Sequence, residues 1–249
     1  MNLGNRPDPD LMSGCTDQDL LNFDERIKDF LGSDDPVEYL IEPKLNGLAV
    51  DLVYKKGGLT IALTRDHGYH GEYITANLKT LLTVPLNLVQ LDGDCDIPEL
   101  LAVRGRVYME SEAFQGLNLR RTEKALPPFA DPAEAVIDSL RQPNPRITAK
   151  RALNLFCSGI VEYEGPSFET EMESMIMLQK WGLRVNKPHM RLHSTIEKVI
   201  QYCRHIEEIR TQFPFKVDGA LIRINLLSLQ RQLFEKEEHP YGSIVFNFK

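Results

Sequence analysis

The sequence predicts an α+β domain, and three observations carry that class. Short apolar, β-prone runs recur, as in Val37 to Ile41, Leu48 to Tyr54 and Leu153 to Val161, bounded by turn residues. Between them lie segments with helical spacing and recognisable end signals. The chain has 249 residues, of which 42% are apolar, enough to bury a substantial core as one large domain or two closely joined pieces.

Bulk properties exclude several classes. No window holds the roughly twenty apolar residues of a membrane span. Met1 to Arg6 lacks the apolar centre of a secretory signal, so a cytoplasmic protein with no membrane partner is expected. Cys15, Cys95, Cys157 and Cys203 are scattered without a Cys-x-x-Cys pair, so neither a zinc module nor a disulfide framework is predicted. The formal charge of −7 gives no bulk attraction to nucleic acid. A contact with DNA would need a local basic face, and the candidates are Arg141, Arg146, Lys150 and Arg151, with the Arg120–Arg121 pair.

Taken in order, residues 1 to 15 are rich in Pro, Asp and Gly and read as an irregular arm. Thr16 caps a helix with Asp17 and Asp19 in its first turn, and Gly32 ends it. Leu20, Phe23, Ile27 and Phe30 form its apolar stripe. The run Val37 to Ile41 and the run Leu48 to Tyr54 are then strands. Pro43 and Gly47 between them imply a tight connection, which would hold Lys44 on a short rigid loop. Lys55 to Gly58 is a hairpin turn. The stretch Thr64 to Asn77 carries Gly68, Gly71 and a helix start, and reads as a phosphate- or ligand-facing loop. His67 and His70 lie on it with no third ligand nearby, so no metal site is expected. Leu91 to Pro98 is acidic and turn-like.

Leu100 to Val107 is a strand, and Ser111 is expected to cap a helix running through Leu119. Leu153 to Val161 reads as a buried strand. Glu169 to Trp181 is an amphipathic helix closed by Gly182, with Trp181 in the core. Ser194 is expected to cap a further helix carrying Ile196, Val199, Cys203 and Ile206. Alternation from Asp218 makes a strand with Arg223 on one face.

The run Glu42-Pro43-Lys44-Leu45-Asn46-Gly47 closely resembles the Lys-x-Asp-Gly motif of covalent nucleotidyltransferases, in the form used by the adenylation domain of bacterial NAD-dependent DNA ligases. Further motifs follow in order. Thr64 to Asn77 tracks the ligase pattern Thr-Arg-Gly-Asp-Gly-x-x-Gly-Glu-Asp-x-Thr-x-Asn, whose nucleotide-contacting Arg is kept as Arg65. Val103 to Arg106 stands where the family writes Val-Arg-Gly-Glu. Phe129 to Gln142 stands for Phe-x-Asn-Pro-Arg-Asn-x-Ala-Ala-Gly-Ser-Leu-Arg-Gln. Asp218 to Arg223 resembles Asp-Gly-Val-Val-Ile-Lys, and Gly242 to Lys249 resembles Trp-Ala-Ile-Ala-Phe-Lys-Phe-Pro.

The resemblance runs from about Thr16 to Lys249 and implies two antiparallel-rich sheets flanked by helices, with a nucleotide cleft between them. On this reading residues 1–36 are an arm and lead-in helix and residues 37–249 the nucleotidyltransferase core. The family's oligonucleotide-binding, zinc, helix-hairpin-helix and BRCT modules are not expected within the chain. The family's adenine-contacting Ser-Leu, before its core, reads Asp10-Leu11 here.

The resemblance also implies the chemistry. A lysine amine, here Lys44, attacks the α-phosphorus of NAD, releases nicotinamide mononucleotide and keeps AMP for DNA nick joining, with Mg if active. The implied nucleotide-binding residues are Glu42, Asn46, Gly47, Arg65, Arg106, Asp218, Arg223 and Asn247. AMP or ATP are alternatives to NAD, and nicked DNA or other ligase or repair proteins are the implied partners. Five of the family's functional positions are altered. Asn46 replaces Asp, Arg106 replaces the Glu that holds the ribose, and Ala133 replaces Arg. Arg223 replaces the phosphate-contacting Lys, and Asn247 replaces the last catalytic Lys. The expected pocket is about one charge more positive than the family's, with its catalytic donors depleted. Losing one such donor commonly costs about 10²–10³ in rate. Three functional readings follow: a working adenylyltransferase or DNA ligase component, though with activity impaired or absent; a catalytically inactive ligase-like protein that binds nucleotide, DNA or another protein; or a structural domain without ligand.

Overall fold

The computed structural model describes residues 13–65, 71–91, 95–236 and 242–249. Strand β1 (Ser13–Gly14) precedes helix α1 (Asp17–Leu31), and both helix ends are set by sequence. Thr16 and Asp19 form a reciprocal capping box, and Gly32 closes the helix in the left-handed region at φ 61°. Strands β2 (Tyr39–Leu45), β3 (Leu48–Lys55) and β4 (Gly58–Thr64) follow, then the single turn α2 (Thr75–Leu78) and β5 (Leu100–Met109). Helices α3 (Ser111–Glu123), α4 (Pro132–Leu140) and α5 (Pro145–Thr148) lead to β6 (Leu153–Tyr163) and α6 (Glu171–Lys180). The chain ends with β7 (Arg191–His193), α7 (Ile196–Ile209), β8 (Val217–Ile224), α8 (Leu227–Lys236) and β9 (Ser243–Asn247).

These strands make two sheets, ordered β1-β9-β8-β2-β7 and β4-β3-β5-β6, in which, among the described residues, the β1–β9 strand pair is parallel and the others antiparallel. Each sheet buries one face under helices. In the five-stranded sheet, Tyr39, Ile41, Ile222 and Ile224 pack with Phe23 of α1, Cys203 of α7 and Leu233 of α8. In the four-stranded sheet, Val50, Leu52, Val103 and Leu155 pack with Val136 of α4 and Leu178 of α6. The opposite faces look toward one another, and the candidate site lies there.

Four local expectations are corrected. Lys44 is not on a loop: it is in β2, directly opposite Gly219 of β8. The tight connection at Asn46–Gly47 joins two sheets, since β2 belongs to one and β3 to the other. Ser111 does not cap α3. The N-cap is Glu110, whose backbone bridges Phe215 while the Ser111 N–H donates to the Pro214 carbonyl at 2.8 Å. Strand pairing thus carries the chain directly into the helix, which runs on to Glu123. Thr195, not Ser194, is the N-cap of α7, because β7 stays paired with β2 as far as His193. Ser13–Gly14, expected to be irregular, pairs with β9. The Lys55–Gly58 turn is as expected, with Lys56 and Gly57 at positive φ. Trp181 is buried, and its indole N–H donates to the Asp96 carbonyl. Cys95, Cys157 and Cys203 are buried free thiols, and burial pushes Cys157 up to about 12. His67, His70 and Asp10–Leu11 lie outside the described residues.

Candidate functional site

The chain changes sheets at Asn46–Gly47, and this handover creates the cleft. Gly47 is required for it, since a Cβ there would stand 2.1 Å from the Val107 carbonyl oxygen of β5. On one side the cleft is lined by Glu42 and Lys44 of β2, and on the other by Arg104 and Arg106 of β5. Ala49 and Ser158 close the floor. Strand alternation explains the grouping, because side chains two apart share a face and so Glu42 and Lys44 point the same way, as do Arg104 and Arg106.

Lys44, Gly219 and Asn247 form one row across β2, β8 and β9. At the usual strand spacing the backbones of Lys44 and Asn247 are about 10 Å apart. Gly219 between them has no side chain, and a Cβ there would meet the Phe246 carbonyl oxygen at 2.3 Å. A register shift between Lys44 and Leu45 leaves Asp218 out of pairing with β2. Its carboxylate accepts from the Asn46 amide at 2.7 Å, with the Lys216 ammonium 3.7 Å away. The Asn46 Oδ1 is buried without a hydrogen-bond partner.

Arg223 is 6% exposed and donates from Nη2 to the Glu42 carboxylate at 2.7 Å, and from Nη1 to the Ser158 carbonyl oxygen. Its Nε is buried without a partner. Burial pushes the Glu42 carboxyl above its usual range. The Arg223 and Arg106 guanidinium groups oppose that shift, and the nearby buried Glu171 adds to it. Arg106 is half-buried and donates to the Gly47 carbonyl at 3.0 Å, so it braces the sheet-changing turn.

Arg65 reaches the site indirectly. It lies 3.6 Å from the carboxylate of Asp51 on β3, which also holds Arg104 at 3.0 Å. Asp51, Arg104, Glu171 and Ser158 are the residues that sequence reasoning missed. Asp51 had a readable signal: a lone carboxylate inside the apolar run Leu48 to Tyr54, 3% exposed, requires a buried partner. Ser158 acts through its backbone and Glu171 through proximity, and neither is legible in a sequence.

The candidate basic face is partly neutralised. Arg141 donates to Glu72 at 2.6 Å, and Arg151 lies 3.5 Å from Asp138. Arg146 and Lys150 are exposed. Arg120 and Arg121 lie near enough to Arg151 to lower its affinity for a proton, after the larger effect of burial. Among the described residues no group of three or more His, Cys, Asp or Glu could hold a metal, and no helix is long and apolar enough to cross a membrane.

Comparison with known proteins bears on this arrangement. Residues 10–249 match the model of the NAD-dependent DNA ligase adenylation domain. The chain is 42% identical over 241 residues to a DNA ligase of Geotalea daltonii, covering 96% of this chain and 35% of the relative. It is 41% identical over 241 residues to a DNA ligase of Geobacter sulfurreducens, with the same coverage. The chain thus spans about a third of the length of the curated relatives it matches. A solved structure titled putative ATP-dependent DNA ligase from Aquifex aeolicus is a more distant likeness, at 13% identity and a TM-score of 0.44, covering 91% of this chain and 47% of that one.

Proposed function

The chain belongs to the adenylation-domain family of NAD-dependent DNA ligases, and from that premise we propose that it binds an adenine nucleotide in the cleft between its sheets but has lost most of the ability to transfer AMP to Lys44. In the family's reaction the lysine nitrogen forms a bond to the α-phosphorus, the bond to nicotinamide mononucleotide breaks, and the amine gives up a proton. In-line attack needs donors aimed at the developing charge, and these work only when held in advance.

The observation that carries the reading is the engagement of Arg223. At the family's phosphate-contacting position, this side chain spends two of its three nitrogens on Glu42 and the Ser158 carbonyl. A planar guanidinium anchored there does not substitute for a mobile ammonium. Ala133 and Asn247 carry no charge to replace the family's Arg and Lys. Asn247 stands in the same cross-strand row as Lys44, where it can offer an amide but no cation. The retained features, Lys44, Glu42, Gly47, Arg65, Asp218 and Gly219, support nucleotide binding.

Mg²⁺ is held by one or two carboxylates together with substrate phosphates. Asp218, its carboxylate held by the Asn46 amide, offers an oxygen donor of that kind and would hold the ion together with the substrate phosphates. Bound there, it would neutralise phosphate charge. Asn46 keeps the Asp218 carboxylate oriented through its amide. Nicked DNA is the proposed partner of the wider protein, with Arg146 and Lys150 as its exposed phosphate contacts and a cytoplasmic location. The same Arg223 geometry favours nucleotide binding without transfer.

Intact-mass measurement after incubation with NAD or ATP and Mg²⁺ tests the proposal. Little or no AMP adduct is expected. Robust labelling that disappears in Lys44→Ala would reject the loss of transfer.

A further inference from the structure

We infer that Asp51 is a positioning residue for anion binding: its carboxylate clasps Arg104 and Arg65, and so holds the Arg65 guanidinium in place at the cleft before a ligand arrives. This rests on the nucleotide-cleft reading above and deepens it.

Strand alternation puts Asp51 on the right face. Val50, Leu52 and Tyr54 of β3 point into the core under the four-stranded sheet. Asp51 therefore lies on the other face, with Ala49, which closes the cleft floor. Arg104 stands directly across from Asp51 on β5. It donates from Nε to one carboxylate oxygen at 3.0 Å and from Nη2 to the other at 3.4 Å. Arg65 follows β4, on the opposite side of β3. Its backbone N–H donates to the Ala49 carbonyl at 2.9 Å, and its Nη1 lies 3.6 Å from the Asp51 carboxylate.

Burial separates the roles of the two arginines. The side chains of Asp51 and Arg104 are 4% and 8% exposed, whereas that of Arg65 is 24% exposed. Arg104 alone balances the Asp51 charge and takes both of its oxygens. Two guanidinium groups against one carboxylate leave one positive charge in the trio, and Arg65, the member that solvent reaches, carries it. An arginine side chain loses rotamer freedom when a ligand fixes it. A contact that fixes it in the free protein removes that cost from binding, which is the advantage of groups held in advance.

Charge and positioning predict opposite effects. Asp51 is negative, so by Coulomb's law its removal strengthens the attraction for any anion in the cleft. If it positions Arg65, its removal weakens binding instead.

Titration calorimetry with ATP and NAD⁺ on wild type, Asp51→Asn, Arg65→Gln and the double variant tests the inference, with urea denaturation of each to fix the folded fraction. Partners that orient metal ligands from behind are worth about 10–100-fold in affinity, and Asp51→Asn is expected to weaken both nucleotides by about tenfold or more. In the Arg65→Gln background the same change should stay within about twofold, because the two residues act through one contact. Tighter or unchanged binding in Asp51→Asn overturns the inference. So does an equal loss in both backgrounds, which marks Asp51 as a structural ion-pair partner only. If Asp51→Asn does not fold, Arg104→Met is compared with Asp51→Leu/Arg104→Met, since removing a buried pair together is commonly tolerated. A loss of affinity on adding Asp51→Leu supports the clasp, and a gain or no change overturns it. If wild type binds neither nucleotide, the nucleotide-cleft reading falls and this inference with it, whereas an effect confined to the variants bears on Asp51 alone.

Discussion

Replacing Arg223 by Met tests how the cleft is held together. The substitution keeps the length of the side chain and removes the cation that faces Glu42. Both side chains are almost fully buried, at 7% and 6% exposure, so solvent does not screen the pair. Breaking a buried ion pair by removing one partner typically costs about 3–5 kcal/mol, because the other charge is left uncompensated. For a chain of this size each kcal/mol moves the melting temperature by about 2–4 °C, so a drop of roughly 10 °C is expected. The Ser158 carbonyl also loses its donor. The double variant Glu42→Gln/Arg223→Met should regain most of the loss. The deficit also has a pH signature. Without Arg223, burial and Glu171 hold the Glu42 carboxyl above its usual range, so the folded state binds a proton that the unfolded state releases. Stability of Arg223→Met should then fall as pH rises through the folded-state value and recover toward acid. Urea denaturation of the three proteins at several pH values measures both effects. A loss under about 1 kcal/mol, or a double variant no more stable than the single, would refute the idea that this pair braces the cleft.

Two further outcomes are expected. Gly47→Ala forces a methyl to within 2.1 Å of the Val107 carbonyl and should separate the sheets at the turn, costing about 3 kcal/mol or more in urea denaturation; an unchanged midpoint would show that the turn relaxes freely. His189 and His193 have their proton affinity lowered, first by burial, then by Arg191 at His189 and by Lys198 and Arg191 at His193. Both therefore stay neutral in the fold while the unfolded chain protonates near pH 6.5, so melting temperature should fall as pH drops below that value. Replacing both by Gln should flatten the profile between pH 7 and 5, which thermal melts would show.

Much of the scaffold was legible locally. The Thr16–Asp19 capping box, the Gly32 stop and the Lys55–Gly58 hairpin are each written within a few residues, because their hydrogen bonds close over that distance. The ends of α3 and α7 were misread because strand pairing with distant segments, at Phe215 and Tyr39, overrides a nearby serine. The motif around Lys44 was legible as a string, yet its position within a strand was not.

The sequence by itself determined the residue types available to the cleft: an amine at Lys44, a reversed charge at Arg106, and a guanidinium at Arg223 where the family has an ammonium. Only the tertiary structure decided what those groups do. A pairing such as Glu42 with Arg223, 181 positions apart, depends on which sheet each strand joins. The handover of the chain between sheets at Asn46–Gly47 sets that choice, because a backbone contact with β5 admits no side chain there, and no local preference records it.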